Sequence, residues 1–137
     1  MTNLPEGVFG DVTFEDFIIF DVVNLVTVHP SIILQSKERL QQLAIGYCRL
    51  EEFPWEILPQ LIRLNSLDLH GNYITTLPPL QSPTLQYFDF RFNFIDALEA
   101  GWSTPNLLGV WFGECKYVLL LVLDPPHEYL KNILFSL

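Results

Sequence analysis

Four stretches of the chain share one spacing of apolar positions. An apolar residue is followed after two residues by a second, after one more by a third, and after two more by Asn or Cys. The stretches are Leu40-Leu43-Ile45-Cys48, Leu64-Leu67-Leu69-Asn72, Leu85-Phe88-Phe90-Asn93 and Leu107-Val110-Phe112-Cys115. Their first residues lie 24, 21 and 22 positions apart. Within each copy the pattern alternates, as in Leu67 in, Asp68 out, Leu69 in and His70 out, and alternation at period two predicts a strand. Phe17-Phe20-Val22 before the four, and Leu130-Ile133-Phe135 after them, extend the same frame. The predicted strands are therefore 17–22, 40–45, 64–69, 85–90, 107–112 and 130–135.

This period and pattern are the signature of a leucine-rich repeat, and repeats of 20–29 residues stack into a solenoid. The expected fold is α/β: a short curved parallel sheet with an irregular or short-helical convex side. Residues 17–137 hold about five repeats and a truncated sixth, and residues 1–16 form an N-terminal flank. Val8-Phe9 and Val12-Phe14 in that flank are expected to fold over the end of the core as a partial cap. The returning segments are most helix-like at Pro30 to Arg39 and Pro54 to Arg63. Later returns carry Pro78-Pro79, Pro83, Pro105 and Pro125-Pro126, which predict extended or single-turn paths. The sixth strand would be unpaired on its outer side, and self-association through that open C-terminal edge is expected.

The ninth positions form a ladder: Cys48, Asn72, Asn93 and Cys115. A buried Asn there bonds loop backbone groups that would otherwise stay unpaired. The two cysteines are expected to be buried thiols in Asn positions. Three repeats separate them, roughly 14 Å at about 4.8 Å per strand, whereas a disulfide needs Cα atoms within about 7 Å.

Outward positions of neighbouring strands form rows. One row is Asp21, Ala44, Asp68, Asp89 and Trp111. Its neighbours are Ile19, Gln42, Ser66, Tyr87, Gly109 on one side and Val23, Gly46, His70, Arg91, Gly113 on the other. Tyr47, Gly71, Phe92 and Glu114 come next. The candidate face is thus Tyr47, Asp68, His70, Tyr87, Asp89, Arg91, Phe92 and Trp111. Asp68 beside Asp89 is unfavourable in adjacent strands, and His70 and Arg91 can offset it. Three readings fit: a solvated, self-compensated face; a protein-binding patch, given Tyr, Trp and Arg; or a catalytic or metal site on Asp68, Asp89 and His70. Paired carboxylates without a pocket are a weak motif, so no catalytic, cofactor or metal residue is assigned. His29 and His127 are placed in loops.

Composition narrows the partners. Of 137 residues half are hydrophobic, enough for a continuous core, and the net charge is −9. That excess of acid argues against nucleic acid and anionic membrane surfaces and favours basic partners or cations. Met1 to Glu6 lacks the basic start and apolar run of a signal peptide. The apolar run Tyr117 to Leu123 is far short of the ~20 residues of a spanning helix.

Phrases between the repeat positions carry a closer resemblance. They are Val8-Phe9-Gly10-Asp11-Val12-Thr13-Phe14-Glu15, His29-Pro30-Ser31 with Ser36-Lys37-Glu38-Arg39-Leu40, Leu50-Glu51-Glu52-Phe53-Pro54-Trp55, Pro79-Leu80-Gln81-Ser82, and Leu98-Glu99-Ala100-Gly101-Trp102-Ser103-Thr104-Pro105-Asn106-Leu107. This run, from about Val8 to Leu107, resembles the arthropod leucine-rich-repeat family named for the non-catalytic subunit of decapod luciferase (oplophorus-luciferin 2-monooxygenase). The resemblance implies a secreted companion chain without catalytic residues, with a luciferase-type catalytic subunit as its protein partner. The family's leading signal peptide, Cys-rich cap, further repeats and C-terminal cap are not seen here, and the match fades from Gly113. The leading expectation is a non-enzymatic, extracellular binding module. The alternatives are a pattern-recognition or receptor-type ectodomain piece, or an intracellular scaffold suggested by Met1 and the unpaired cysteines.

Overall fold

The computed structural model describes residues 2–95, 97–113 and 119–120. In chain order its elements are strands β1 (Asn3–Leu4), β2 (Asp16–Phe20) and β3 (Thr27–Val28), helix α1 (Pro30–Leu34), strand β4 (Gln42–Gly46), a 3-10 helix (Trp55–Gln60), and strands β5 (Ser66–Asp68), β6 (Tyr87–Asp89), β7 (Ala97–Leu98), β8 (Gly109–Trp111) and β9 (Leu119–Leu120). Five strands make one sheet in the order β2-β4-β5-β6-β8, and every pairing in it is parallel. Each repeat contributes one strand, so sequence neighbours become spatial neighbours.

The strands of the repeats begin about two residues later than the apolar pattern predicts. Leu40, Leu64, Leu85 and Leu107 are buried but precede their strands. Their amides close turns instead: Leu40 donates to the Ser36 carbonyl (2.8 Å), and Leu64 to that of Leu61 (3.2 Å). The pairing from β4 onward keeps the predicted rows: Gln42, Ser66, Tyr87, Gly109 and then Ala44, Asp68, Asp89, Trp111.

The first repeat differs by three residues. Asp16 pairs with Gln42 and Phe17 with Leu43, so Ile18, not Asp21, stands beside Ala44, and Phe20, not Val23, beside Gly46. Phe14-Phe17-Ile19-Val22 is therefore the first copy of the spacing. The chain settles in this register because Phe14 and Phe17 join Phe9 in a cluster of edge-on rings, with centroids 5.3 to 5.9 Å apart. Phe9 and Phe14 pack on the core, but Val8 and Val12 stay exposed, contrary to the expectation that they cover it. The flank is tied down by polar bonds: the Phe14 amide donates to Ser36 Oγ (2.8 Å), Arg39 Nη1 to Thr13 Oγ1 (2.8 Å), and the Gln35 side-chain amide to the Val12 carbonyl.

The returning segments follow the proline pattern. Helix α1 lies within the predicted 30–39 and a 3-10 helix within 54–63, while the proline-rich return around Leu77-Pro78-Pro79 has no helix. His29 is more than a loop residue, because its Nδ1 accepts the Ser31 amide as the N-cap of α1. Between sheet and returns runs one apolar core, with Leu43, Ile45, Leu67, Leu69, Phe88 and Phe90 among its buried members. Among the described residues no helix is long and apolar enough to cross a membrane. The predicted sixth strand, Cys115, Glu114 and His127 lie outside the described residues.

Candidate functional site: the outward face of the parallel sheet

The site begins with how the chain leaves each strand. Asp21, Tyr47, Gly71 and Phe92 occupy the same place in successive repeats, and all are left-handed, with φ of 59°, 49°, 71° and 57°. A non-glycine residue there costs about 1–2 kcal/mol. Each is held by a repeated inter-strand bond: the Asp21 amide donates to the Gly46 carbonyl (3.1 Å), Tyr47 to His70 (3.1 Å), Gly71 to Arg91 (2.9 Å) and Phe92 to Gly113 (3.3 Å). Tyr47 and Phe92 thus sit on strained backbone with exposed rings.

The next residue turns inward to the ladder. Asn72 Nδ2 donates to the carbonyls of Ile45 (2.7 Å) and Leu69 (3.0 Å), and its Oδ1 accepts the Leu50 amide (3.1 Å). Asn93 repeats this with Leu69 (2.8 Å), Phe90 (3.3 Å) and the Ile74 amide (3.1 Å). Cys48 takes the place as a buried free thiol, donating to the Gly46 carbonyl at 3.3 Å. Its sulfur is a weaker acceptor than Asn Oδ1, and the equivalent donor, the Leu25 amide, closes on the Val22 carbonyl instead (2.9 Å). Burial pushes the Cys48 thiol above its ordinary pKa, a backbone hydrogen bond from Val22 pulls it down, and the charge of Asp21 adds to the rise.

On the outward face glycines make room for rings. The Phe20 ring lies over Gly46, where a methyl group would overlap it, and the Tyr47 ring lies over Gly71, 2.6 Å from where a Cβ would stand. The Trp111 ring covers Gly109, 2.9 Å from such a Cβ. His70 joins the first cluster, edge-on to Tyr47 with centroids 4.6 Å apart and tilted to Phe20 at 5.7 Å. Tyr87 stacks on Trp111 at 6.4 Å. Phe20 and Ile18, both exposed, belong to this face, at the places where the apolar pattern predicts Val23 and Asp21. The spacing Phe14-Phe17-Ile19-Val22 in the chain marks this register.

Between the two ring clusters lie the carboxylates. Asp68 and Asp89 are register partners. Each uses Oδ1 to accept the amide two residues on, from His70 (3.0 Å) and Arg91 (3.1 Å). Asp89 is then enclosed by its own arginine: Arg91 Nε lies 3.0 Å from Oδ1 and 3.2 Å from Oδ2, and Nη2 is 2.6 Å from Oδ2. That hydrogen bonding, then the Asp89 charge, raises the Arg91 pKa. Asp68 has only His70 Nδ1, 2.5 Å from the same Oδ1. Asp68, His70 and Asp89 bring three ligand atoms within 4.8 Å of one another. Both Asp89 oxygens are engaged by the Arg91 guanidinium, which leaves Asp89 without a free oxygen for an ion, so the trio is poorly suited to a metal. Glu114, at the end of the last predicted row, lies outside the described residues.

A parallel sheet with one strand per repeat, few helices and an asparagine ladder is consistent with a leucine-rich-repeat fold, and residues 63–82 match the family model described as Leucine Rich Repeat. The chain is 33% identical over 85 residues to the oplophorus-luciferin 2-monooxygenase non-catalytic subunit of Oplophorus gracilirostris, across 62% of this chain and 24% of that relative. The aligned part thus spans about a quarter of the relative's length. No solved structure matches the chain.

Proposed function

We propose that this chain is a non-enzymatic protein-binding module, a leucine-rich-repeat solenoid that receives a partner protein on the concave, outward face of its sheet. The observation that carries this reading is the row of exposed rings on that single face: Phe20, Tyr47, Tyr87, Phe92 and Trp111. Apolar surface gathered on one face marks an interaction site more often than scattered exposure does. Tyr, Trp and Arg are the residues that dominate binding energy. Two of the rings stand on strained backbone, which is retained where the surroundings and function demand it. The name of the Oplophorus relative, a non-catalytic subunit, supports a companion role beside a catalytic chain, here a luciferase-type subunit by resemblance. The same resemblance supports an extracellular setting. The residues before Phe14 act as a partial cap on the first repeat through Phe9.

Affinity capture from native tissue tests the reading with three baits: the native chain, a Tyr87→Ser, Trp111→Ser double variant, and Ile62→Ser, which alters an exposed apolar residue outside the sheet. A companion protein retained by the native chain and Ile62→Ser but lost from the double variant supports it. Retention by the double variant, or equal loss from both, overturns it.

A further inference from the structure

The two acidic strands of the sheet are built alike except for one group. Asp68 and Asp89 pair in register, and each accepts the amide of the residue two positions on. On β6 the following outward residue is Arg91, whose guanidinium grips both Asp89 oxygens. On β5 the following outward residue is His70, charged only if protonated, and it reaches only Asp68 Oδ1. Asp68 Oδ2 has no hydrogen-bond partner among the described residues, and the side chain keeps 27% of its exposure. One strand over, the molecule itself shows what completes this carboxylate: a guanidinium lying against it on the sheet surface.

From this we infer that Asp68 anchors an arginine or lysine side chain from a basic segment of the partner protein, which takes the part at β5 that Arg91 takes at β6. The inference rests on the binding face proposed above and names the chemistry of its partner. Three further features fit a guanidinium. On one side the neighbours of Asp68 are small, Ala44 across the strand pair and Ser66 along its own strand, which leaves that side open; on the other stands Asp89, whose charge is matched by Arg91. The rings of Phe20, Tyr47, Tyr87 and Trp111 flank it on the same face, and a planar cation gains from both a carboxylate and ring faces. The chain already seats one arginine over a ring, with Arg49 5.8 Å from the centre of Tyr73. With 16 acidic against 7 basic residues, the molecule also steers positively charged segments toward itself.

The test uses the full 137-residue chain and two blocked peptides of sequence Gly-Ser-X-Gly-X-Ser-Gly, where X is arginine in one and its uncharged isostere citrulline in the other. Binding is followed by calorimetry and by the indole resonance of Trp111. The arginine peptide should bind about tenfold more tightly than the citrulline peptide and shift that resonance, the ratio expected for one charge-assisted hydrogen-bonded pair. Asp68→Asn keeps the shape and the Oδ1 acceptor, and should abolish the preference with the thermal melt retained. Glu38→Gln, away from the sheet, should leave it within about twofold, as a screened surface charge does. Equal binding of the two peptides, no binding of either, or equal effects of Asp68→Asn and Glu38→Gln overturns the inference. In each of those cases capture of a companion protein that still depends on Tyr87 and Trp111 leaves the binding face standing.

Discussion

Asn72→Ala should destabilise the fold by about 2–4 kcal/mol. Asn72 is 2% exposed, so water does not readily replace what its amide provides. Loss of Oδ1 strands the buried Leu50 amide, now 3.1 Å away, and an unpaired buried donor costs about 1–3 kcal/mol. Loss of Nδ2 removes the side-chain donor of the Ile45 carbonyl at 2.7 Å, worth about 1 kcal/mol more. The Leu69 carbonyl adds little, because Asn93 Nδ2 still reaches it at 2.8 Å. Against a typical total of about 5–15 kcal/mol, this is a large fraction. Cys48→Ala is the control at the same place in the repeat. There the thiol makes a weak bond to Gly46, and the Leu25 amide is already satisfied by Val22, so about 1 kcal/mol should be lost. Urea unfolding of the three proteins, compared at equal slope, reads the difference. Equal losses in the two variants, or under about 1 kcal/mol for Asn72→Ala, would refute the ladder as the element that joins neighbouring repeats.

Further outcomes follow from the same geometry. Leu67→Asp should prevent folding, since Leu67 has no exposure and an unpaired charge there is among the most damaging changes. Asp68→Ala should stay within about 1 kcal/mol of native, because relief of the repulsion from Asp89 offsets the lost bonds to His70; thermal melts compare the two. Phe92→Gly should stabilise the fold by up to about 1 kcal/mol, the relieved left-handed strain less the chain entropy of glycine, read as a raised melting temperature, while weakening any ligand of the face. Cys48 should resist iodoacetamide in the folded chain, as read by mass spectrometry after digestion. Its raised pKa means that the native state holds the thiol proton more firmly than the unfolded state. The stability this gives is complete below the ordinary thiol range and is lost as pH rises through the folded value, so Cys48→Ala should flatten the alkaline side of the stability profile.

The repeats, their parallel order and the rows from β4 to β8 are legible in the apolar pattern of the sequence. The reason is that a buried face with period two allows no slip without exposing Leu67, Phe88 or their equivalents. The sequence also marked Asn72 and Asn93 as ladder residues and located the helical returns, because proline and helical spacing act locally. It did not determine the register of the first repeat. Phe17-Phe20-Val22 and Phe14-Phe17-Ile19-Val22 satisfy the same spacing, and contacts of Phe14 and Phe17 with Phe9, distant in sequence, select the second. Nor did it reveal the left-handed turns at Tyr47 and Phe92, since neither residue type favours that conformation and only inter-strand bonds hold it. The difference between Asp68 and Asp89 was likewise decided in three dimensions. Both are an aspartate two residues before a basic side chain, but the guanidinium of Arg91 is long enough to close on both oxygens of Asp89, and the shorter imidazole of His70, held between Tyr47 and Phe20, reaches only one oxygen of Asp68.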